Sequence, residues 1–302
     1  MKDKLLTIKR RFSDKTFNIT NNLLMVLLVF IFVWPLWFMI IASVSDATAV
    51  GTGRVILWPV DFHLHAYDEM LEYTQFWIGM RNSLFVSVVG TVINLIFGIC
   101  CAYPLSRKDF MFNKLLLYFF LIPTYVGGGM IPLYLVVRSL GLVDTIWAMI
   151  IPGALSYYNA LVIRNYFMNS IPKELQESAT LDGANAAQYL IKVVLPLSKP
   201  VLAVIAMFHF VGHWNDFTSA LYYIYDPDLM PIQAVLKNLT MVISPTNVQG
   251  VQLDAATLIE RTNRAQLLKY STVIVATAPL LMLYPFVQKH FVKGVMIGSI
   301  KG

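Results

Sequence analysis

The chain carries little charge. Of its 302 residues, 57% are hydrophobic and only 13% are charged, whereas soluble domains average roughly 25% charged residues. So few charges cannot cover the surface of a soluble protein of this length, and we expect lipid to be its solvent. The net charge of +6 fits basic loops beside anionic headgroups. Nucleic acid is not expected as a partner, because no basic stripe is interleaved with aromatic residues.

Cysteine is scarce as well. Cys100 and Cys101 are the only two, and they are neighbours in an apolar stretch. Adjacency argues against both a structural disulfide and a metal site. His209 and His213 are four apart and share one helix face. No acidic or thiol ligand accompanies them, so we predict no metal.

Two further absences narrow the function. The sequence has no G-x-x-x-x-G-K-[ST] loop that would cradle nucleotide phosphates. Its apolar stretches also lack interior charges, since Arg164, Lys199, Asp216 and Lys269 all fall near ends, where they can reach the interface. Ion-coupled carriers normally keep such charges at depth. We therefore predict a chain that is not an enzyme and that depends on another subunit for energy.

Long apolar stretches dominate what is present. A helix needs about 20 apolar residues to cross a bilayer, and we find six such stretches, near 20–44, 82–105, 114–137, 143–167, 195–216 and 269–290. The first is longer than the roughly 7–15 residues of a signal-peptide core, so we expect it to be retained. The predicted fold is an all-α polytopic membrane protein with six transmembrane helices.

Basic residues alternate from loop to loop. Residues 1–18 hold six Lys or Arg, whereas the loop 45–80 has Arg54 against five acidic residues. The positive-inside rule then places both termini and the stretch 168–194 in the cytoplasm. We divide the chain into a cytoplasmic N-terminal segment, 1–19, and a transmembrane domain, 20–302.

A glycine cluster interrupts the third stretch. Gly127, Gly128 and Gly129 lie between two prolines in "IPTYVGGGMIPLY". Backbone freed of helical bonds at this depth must be buried in protein or line a wet cavity. We expect either a bend that lines a substrate path or close helix packing on small residues.

The polar segment 172–196 is unusual in so apolar a chain. Pro172 suits a helix start, Glu174 and Glu177 suit the positive end of the helix dipole, and Gly183 suits the helix end. A second short helix is expected from about Asn185. The pattern predicts a cytoplasmic hairpin, the 172–196 hairpin, with one low-relief side that another protein's groove could cover.

The hairpin resembles a known motif. Glu177-Ser178-Ala179, three residues, Gly183, nine residues, Val193, one residue and Leu195-Pro196 look like the EAA motif of ABC importer permeases, with serine and valine as conservative departures. The resemblance implies a coupling helix between helices 4 and 5 that docks into a cytoplasmic ATPase dimer, which would bind ATP and Mg; no cofactor is expected in this chain. A helix resting on the lipid surface is the alternative. The implied coupling residues are Glu174, Glu177, Ser178, Ala179, Asp182, Gly183, Leu195 and Pro196.

The resemblance extends from about residue 20 to the end. "HWNDF" (213–217) and the tail "VQKHFVKGVMIGSIKG" (287–302) are similar to the maltose-type carbohydrate branch, and more narrowly to permeases for complex oligosaccharides. This implies a second homologous permease, an extracellular solute-binding protein, an oligosaccharide substrate and a bacterial plasma membrane. A permease for another cargo, such as peptides or phosphonates, is one alternative, and a self-sufficient secondary carrier or membrane enzyme is another.

Polar and aromatic residues within the spans are candidates for the substrate path, because neutral, hydroxyl-rich substrates are held by aromatic faces and amides. Hydrogen bonding between helices is the alternative for each, at about 0.6 kcal/mol on average. The candidates are Asn94, Tyr125, Gly128, Tyr158, Asn159, His209, His213, Trp214 and Asn215.

Overall fold

A computed structural model describes residues 2–107, 109–242, 262–263, 265–266, 268–283 and 285. These residues form helices, turns and connecting segments, and none of them lies in a β-strand. The all-α prediction is therefore confirmed for the described residues. The chain divides into two compact units, Met1–Glu72 with Leu239–Ile274 and Tyr73–Asn238 with Val275–Gly302.

The first unit contains a long apolar helix and two short ones. These are α1 (Lys2–Ser43), α2 (Ala47–Gly51) and α3 (His65–Glu72). The Asp46 side chain caps α2 by accepting the Ala49 N–H, and Ile41, Ala49 and Val55 form a small core. Only 6% of the apolar window within Phe17–Ser43 is buried, as expected for a helix that faces lipid.

The second unit holds most of the helices. Short 3₁₀ turns occur at Ile146–Met149 and Pro227–Leu229, and a π-helical turn occurs at Leu190–Val194. The helices, of which α13 and α14 extend across the unit boundary, are α4 (Thr74–Ser106), α5 (Asn113–Tyr125), α6 (Met130–Ser139), α7 (Tyr157–Ser170), α8 (Lys173–Leu181), α9 (Ala186–Tyr189), α10 (Leu195–Leu197), α11 (Lys199–Asn215), α12 (Thr218–Tyr223), α13 (Ile232–Val242) and α14 (Leu268–Leu283).

Helix α4 is the centre of this unit and packs against α7 and α11. Its buried face carries small and polar residues, which allow close approach between helices. A Cβ on Gly79 would lie 3.1 Å from Ile232 Cα. Asn82 Nδ2 donates to the carbonyls of Asp228 and Met230, at 2.8 and 3.1 Å, and Ser83 Oγ accepts the Ile232 N–H at 2.8 Å. Helix α4 therefore holds the turn that leads into α13.

The described residues include two helices long and apolar enough to cross a membrane, Phe17–Ser43 and Thr74–Ser106. The number rises to four if each bent pair is one span. These pairs are Asn113–Tyr125 with Met130–Ser139, bent by 116°, and Ala186–Leu197 with Lys199–Asn215, bent by 80°. The six-span count stays a prediction.

The fourth predicted span, 143–167, differs from a single helix. Its first part forms the 3₁₀ turn Ile146–Met149, an irregular stretch follows, and α7 begins only at Tyr157. Pro152 has no N–H to continue a helix, and the Ser156 side chain caps α7 by accepting the Asn159 N–H. Of the sixth predicted span, 269–290, α14 accounts for the part up to Leu283; residues 284 and 286–290 lie outside the described residues.

The predicted break at the glycine cluster is confirmed. Helix α5 ends at Tyr125 and α6 begins at Met130, and Gly129 has a φ of 84°. A Cβ on Gly127 or Gly129 would meet no described atom within 4 Å. Within the described residues these glycines therefore do not serve as a close-packing surface, and the bend is the better explanation for them.

Candidate functional site

The 172–196 hairpin has two short helices joined by a glycine turn, as predicted. Pro172 is the N-cap of α8 and Glu174 lies in its first turn. Gly183 takes a φ of 77°, its N–H donates to the Thr180 carbonyl, and the Ala184 N–H donates to the Ala179 carbonyl. This is the Schellman ending that glycine makes accessible.

The second half of the hairpin is set by a reciprocal cap. Asn185 Oδ1 accepts the Gln188 N–H at 2.8 Å, and Gln188 Oε1 accepts the Asn185 N–H at 2.9 Å. After α9 come the π-helical turn and α10, and the chain then bends by 80° into α11. Local sequence signals thus determine where the hairpin turns.

The inner face of the hairpin packs against α4, α7 and α11. Tyr189 and Val194 belong to a buried cluster with residues of α4, α7 and α11, and Ala179 packs against that cluster. The Tyr103 hydroxyl of α4 donates to the Ala186 carbonyl at 2.9 Å. The hairpin is therefore in direct contact with α4, α7 and α11.

The outer face of the hairpin is exposed. Leu181 is 89% accessible, and Glu177, Ser178 and Asp182 are also exposed. In the described part of the chain, the carboxylates of Glu174, Glu177 and Asp182 form no salt bridge and accept no hydrogen bond. Unpaired carboxylates around an exposed leucine fit a surface that a protein partner covers. Ala179 and Leu195 are half-buried, and Pro196 is exposed.

A cavity of about 310 Å³ lies beside the hairpin, and Glu177 and Arg107 are among its lining residues. The Arg107 guanidinium donates to both carboxylate oxygens of Asp109, at 2.9 and 2.6 Å. This hydrogen bonding lowers the pKa of the exposed Asp109 carboxyl. Arg107, one of the two cations that line this cavity together with Lys173, is therefore already paired.

A second cavity, of about 350 Å³, is lined by the second half of α11, residues of the segment 148–153, Asn94 of α4 and Ser219 of α12, and we name it the α4–α11 cavity. The cavity adjoins the irregular backbone between the 3₁₀ turn Ile146–Met149 and α7. Here Asn94 Nδ2 donates to the Gly153 carbonyl at 2.6 Å. That bond satisfies a carbonyl freed by the break in the fourth predicted span. Its lining residues are Asn94, Ala148, Met149, Pro152, Gly153, Phe208, His209, Gly212, His213, Asn215, Asp216 and Ser219.

The two histidines have different hydrogen-bonding roles. Asn94 Oδ1 can only accept, so at 2.7 Å His213 Nε2 is the donor. Asn159 Nδ2 can only donate, so at 3.2 Å His209 Nε2 is the acceptor and the proton of this neutral ring lies on Nδ1. Among the described residues, no group of three His, Cys, Asp or Glu could hold a metal ion.

The position of His213 depends on a glycine that the sequence reasoning missed. A Cβ on Gly90 would lie 2.5 Å from His213 Nε2, closer than any real contact. The available signal was spacing, since Gly90 lies four residues before Asn94 and so on the same helix face. Gly153, Asp216 and Ser219 were also missed, because their proximity to Asn94 is purely tertiary.

The structure brings together only some of the path candidates. Asn94, His209, His213 and Asn215 line the α4–α11 cavity, and Asn159 bonds to His209. Trp214 is fully buried and stacks on Phe210, so it does not line the cavity. The others lie elsewhere, with Tyr125 and Tyr158 exposed by 81% and 72% and Gly128 within the α5–α6 break.

Comparison with known proteins gives one family. Residues 94–297 match the family described as binding-protein-dependent transport system inner membrane component. Protein LplC of Bacillus subtilis (strain 168) is 38% identical over 290 residues, covering 96% of each chain. The polygalacturonan/rhamnogalacturonan transport system permease protein YtcP of the same organism is also 38% identical, covering 89% of this chain and 93% of its own.

A solved structure agrees with these relatives. It is a bacterial ABC transporter involved in the import of the acidic polysaccharide alginate, and one of its chains superposes with a TM-score of 0.82 at 31% sequence identity. The match covers 92% of this chain and 98% of that chain. Both the fold and the sequence therefore point to the same class of membrane protein.

Proposed function

The chain belongs to the binding-protein-dependent transport system inner membrane components, and on this premise we propose that it is one permease subunit of an ATP-driven ABC importer for oligosaccharides. Its role is to form half of the translocation path and to receive the force of ATP hydrolysis from partner subunits. It carries out no covalent chemistry of its own. The cargo class is supported by the names of YtcP and of the solved transporter, both of which refer to carbohydrates.

The observation that carries the proposal is the 172–196 hairpin. It has unpaired carboxylates on its outer face, and its inner face is packed against α4, α7 and α11. We infer that a cytoplasmic ATPase dimer, which binds ATP and Mg, receives α8 in a cleft and that Glu177 meets a basic group there. Rotation of the ATPase then moves the hairpin, and the Tyr103–Ala186 bond and the buried cluster pass the motion to the helices.

The remaining partners complete the importer. We infer a second homologous permease that supplies the other half of the path, and an extracellular solute-binding protein that delivers the oligosaccharide. The chain would cross the bacterial plasma membrane six times, with both termini and the hairpin in the cytoplasm. The alternation of basic loops supports this topology.

Copurification tests the proposal. The tagged chain is extracted from its native membrane in a mild detergent, bound proteins are identified by mass spectrometry, and ATPase activity is measured with the binding protein and a panel of oligosaccharides. We expect a second permease, an ATPase and stimulation by an oligosaccharide. Stimulation by a peptide or a phosphonate instead would overturn the cargo class. A chain that stays alone under conditions that preserve complexes would overturn the importer itself.

A further inference from the structure

The α4–α11 cavity has the size of a small binding site. Its volume of about 350 Å³ is near the lower end of the roughly 300–1,000 Å³ typical of ligand pockets. It is therefore suited to one sugar ring rather than to a long segment of an oligosaccharide.

The cavity lies at the end of α11 remote from the hairpin. Asn215 is the last residue of this helix and Lys199 the first, so the two are about 24 Å apart at 1.5 Å per residue. With the hairpin in the cytoplasm, the cavity is on the external side of the membrane. A substrate released by an external binding protein would reach this side first.

Polar groups in the cavity remain available for a ligand. His209 and His213 each use one ring nitrogen, and within the described residues the other nitrogen makes no hydrogen bond. His209 therefore offers a donor and neutral His213 offers an acceptor. The exposed amide of Asn215 forms no hydrogen bond to a described residue either. Sugar hydroxyls, which both donate and accept, match this mixture.

The cavity also has an apolar side, formed by Phe208, Met149 and Pro152. Phe208 is 50% exposed. An apolar wall with a few convergent polar groups is the usual composition of a small-molecule site. The C–H face of a sugar ring would lie against this wall while its hydroxyls face the amide and imidazole groups.

The charges of the lining residues favour an uncharged sugar ring over an acidic one. None of the lining residues is Lys or Arg, and the one formal charge is the carboxylate of Asp216, whose Oδ1 accepts the Ser219 N–H at 3.0 Å. The carboxylate of a uronic acid would be placed beside Asp216 without a cation to pair with, which is unfavourable in a partly buried site. An uncharged ring meets no such cost.

We propose that the α4–α11 cavity is a subsite in which this subunit directly holds one uncharged sugar ring of the passing oligosaccharide. The proposal rests on the proposed function and deepens it, since it names both the contact surface and the chemistry of the ring. It also contrasts with the acidic polymers named for YtcP and for the solved transporter.

Cysteine protection in the assembled importer tests the subsite. Asn215→Cys is introduced with Cys100→Ala and Cys101→Ala, and Asn169→Cys, an exposed asparagine of α7 outside both cavities, is the matched control. The complex, with its binding protein and ATP, is labelled by a water-soluble thiol reagent. The probes are raffinose, maltotriose and galactotriose, which are neutral, and trigalacturonate, which is acidic; the sugar that stimulates ATPase activity identifies the substrate.

We expect a neutral sugar to stimulate ATPase activity and to protect Asn215→Cys alone. When the sugar is present at about ten times its Kd for the subsite, the labelling rate of Asn215→Cys should fall about tenfold, because the unoccupied fraction of the subsite is 1/(1+[L]/Kd). Stimulation without protection would overturn the subsite and leave the proposed function intact. Stimulation and protection by trigalacturonate alone would overturn the uncharged ring. If no oligosaccharide stimulates, the proposed function fails, and the subsite fails with it.

Filling the cavity gives an independent test. A Cβ on Gly212 meets no described atom within 4 Å, and glycine is the poorer helix former by about 1 kcal/mol, so Gly212→Ala and Gly212→Leu should both fold. We expect Gly212→Leu, which adds four carbons to the cavity wall, to raise the KM for transport by about tenfold, or about 1.4 kcal/mol. Gly212→Ala should raise it less. Equal KM values in the two variants would contradict the subsite.

Discussion

At the scale of single residues, the position of the His213 ring depends on the absence of a side chain at Gly90. Helix α4 approaches α11 so closely that the imidazole occupies the space where a Cβ would be. The Asn94–His213 hydrogen bond, at 2.7 Å, exists only in this arrangement. The same helix has a glycine, Gly98, whose Cβ would be in ordinary contact with Ile163 Cδ1 at 3.4 Å.

Gly90→Ala should therefore destabilise the protein. The new methyl group pushes the His213 ring away and breaks its bond to Asn94, and overpacking of this kind costs about 1–3 kcal/mol. Thermal denaturation of the purified complex measures the effect, with Gly98→Ala as the control on the same helix. Equal melting temperatures of the two variants would show that α4 and α11 can separate without cost.

Glu177 is the residue whose charge should matter most outside the membrane. Glu177→Lys reverses an exposed, unpaired charge on the hairpin, so we expect the chain to insert normally while uptake falls at least about tenfold, or about 1.4 kcal/mol of lost coupling. Transport and membrane abundance are measured together. Glu72→Lys, at another exposed glutamate, is the control and should transport normally. Normal uptake by a well-expressed Glu177→Lys chain would contradict the proposal that Glu177 docks against the ATPase.

At the scale of elements, helix breaks distinguish this chain from a bundle of straight spans. The α5–α6 break could be predicted because three glycines and two prolines are local signals. The break within 143–167 was missed, since hydropathy averages over a window and does not register where Pro152 and Ser156 redirect the backbone. The freed carbonyl of Gly153 is satisfied by Asn94, which is 59 residues away in sequence.

The α5–α6 break gives a matched pair of variants. Gly129 has a φ of 84°, whereas Gly127 does not take a positive φ, and a Cβ on either would meet open space. Gly129→Ala should cost about 1–3 kcal/mol, because a φ of 84° with a ψ of 175° is a backbone conformation that essentially only glycine adopts without strain. Gly127→Ala should cost much less. Melting temperatures of the purified complexes measure both, and equal stability would mean that the bend at residue 129 is not required.

At the scale of the whole molecule, the hairpin and the α4–α11 cavity lie at opposite ends of α11. In the proposed importer, this separation would let ATP binding on the cytoplasmic side act on the proposed sugar subsite on the other, because α11 is continuous from Lys199 to Asn215. The buried cluster under the hairpin and the hydrogen bonds of Asn94 both include α4. Helices α4 and α11 are thus the elements through which the two sites would communicate.

The topology can be tested at the same scale. Reporters that are active only in the cytoplasm should work when fused at either terminus or inserted after Asp182, and reporters that are active only outside should work after Gly53, which lies in an exposed turn. Activity of an external reporter after Asp182 would show that the orientation is the reverse of the predicted one. The hairpin could then not reach a cytoplasmic ATPase. Insertion after Gly141, another exposed turn glycine, should match the Gly53 result.

The sequence by itself determined the solvent of this protein, its all-helical class and the hairpin, because apolar run length, loop charge and capping residues act within a few turns of the chain. Only the tertiary structure decided which polar residues meet. Asn94 and His213 are 119 residues apart, and they bond because α4 has small residues where α11 crosses it. No local pattern records that crossing, so a cavity built from four separate segments emerged only once the helices were packed.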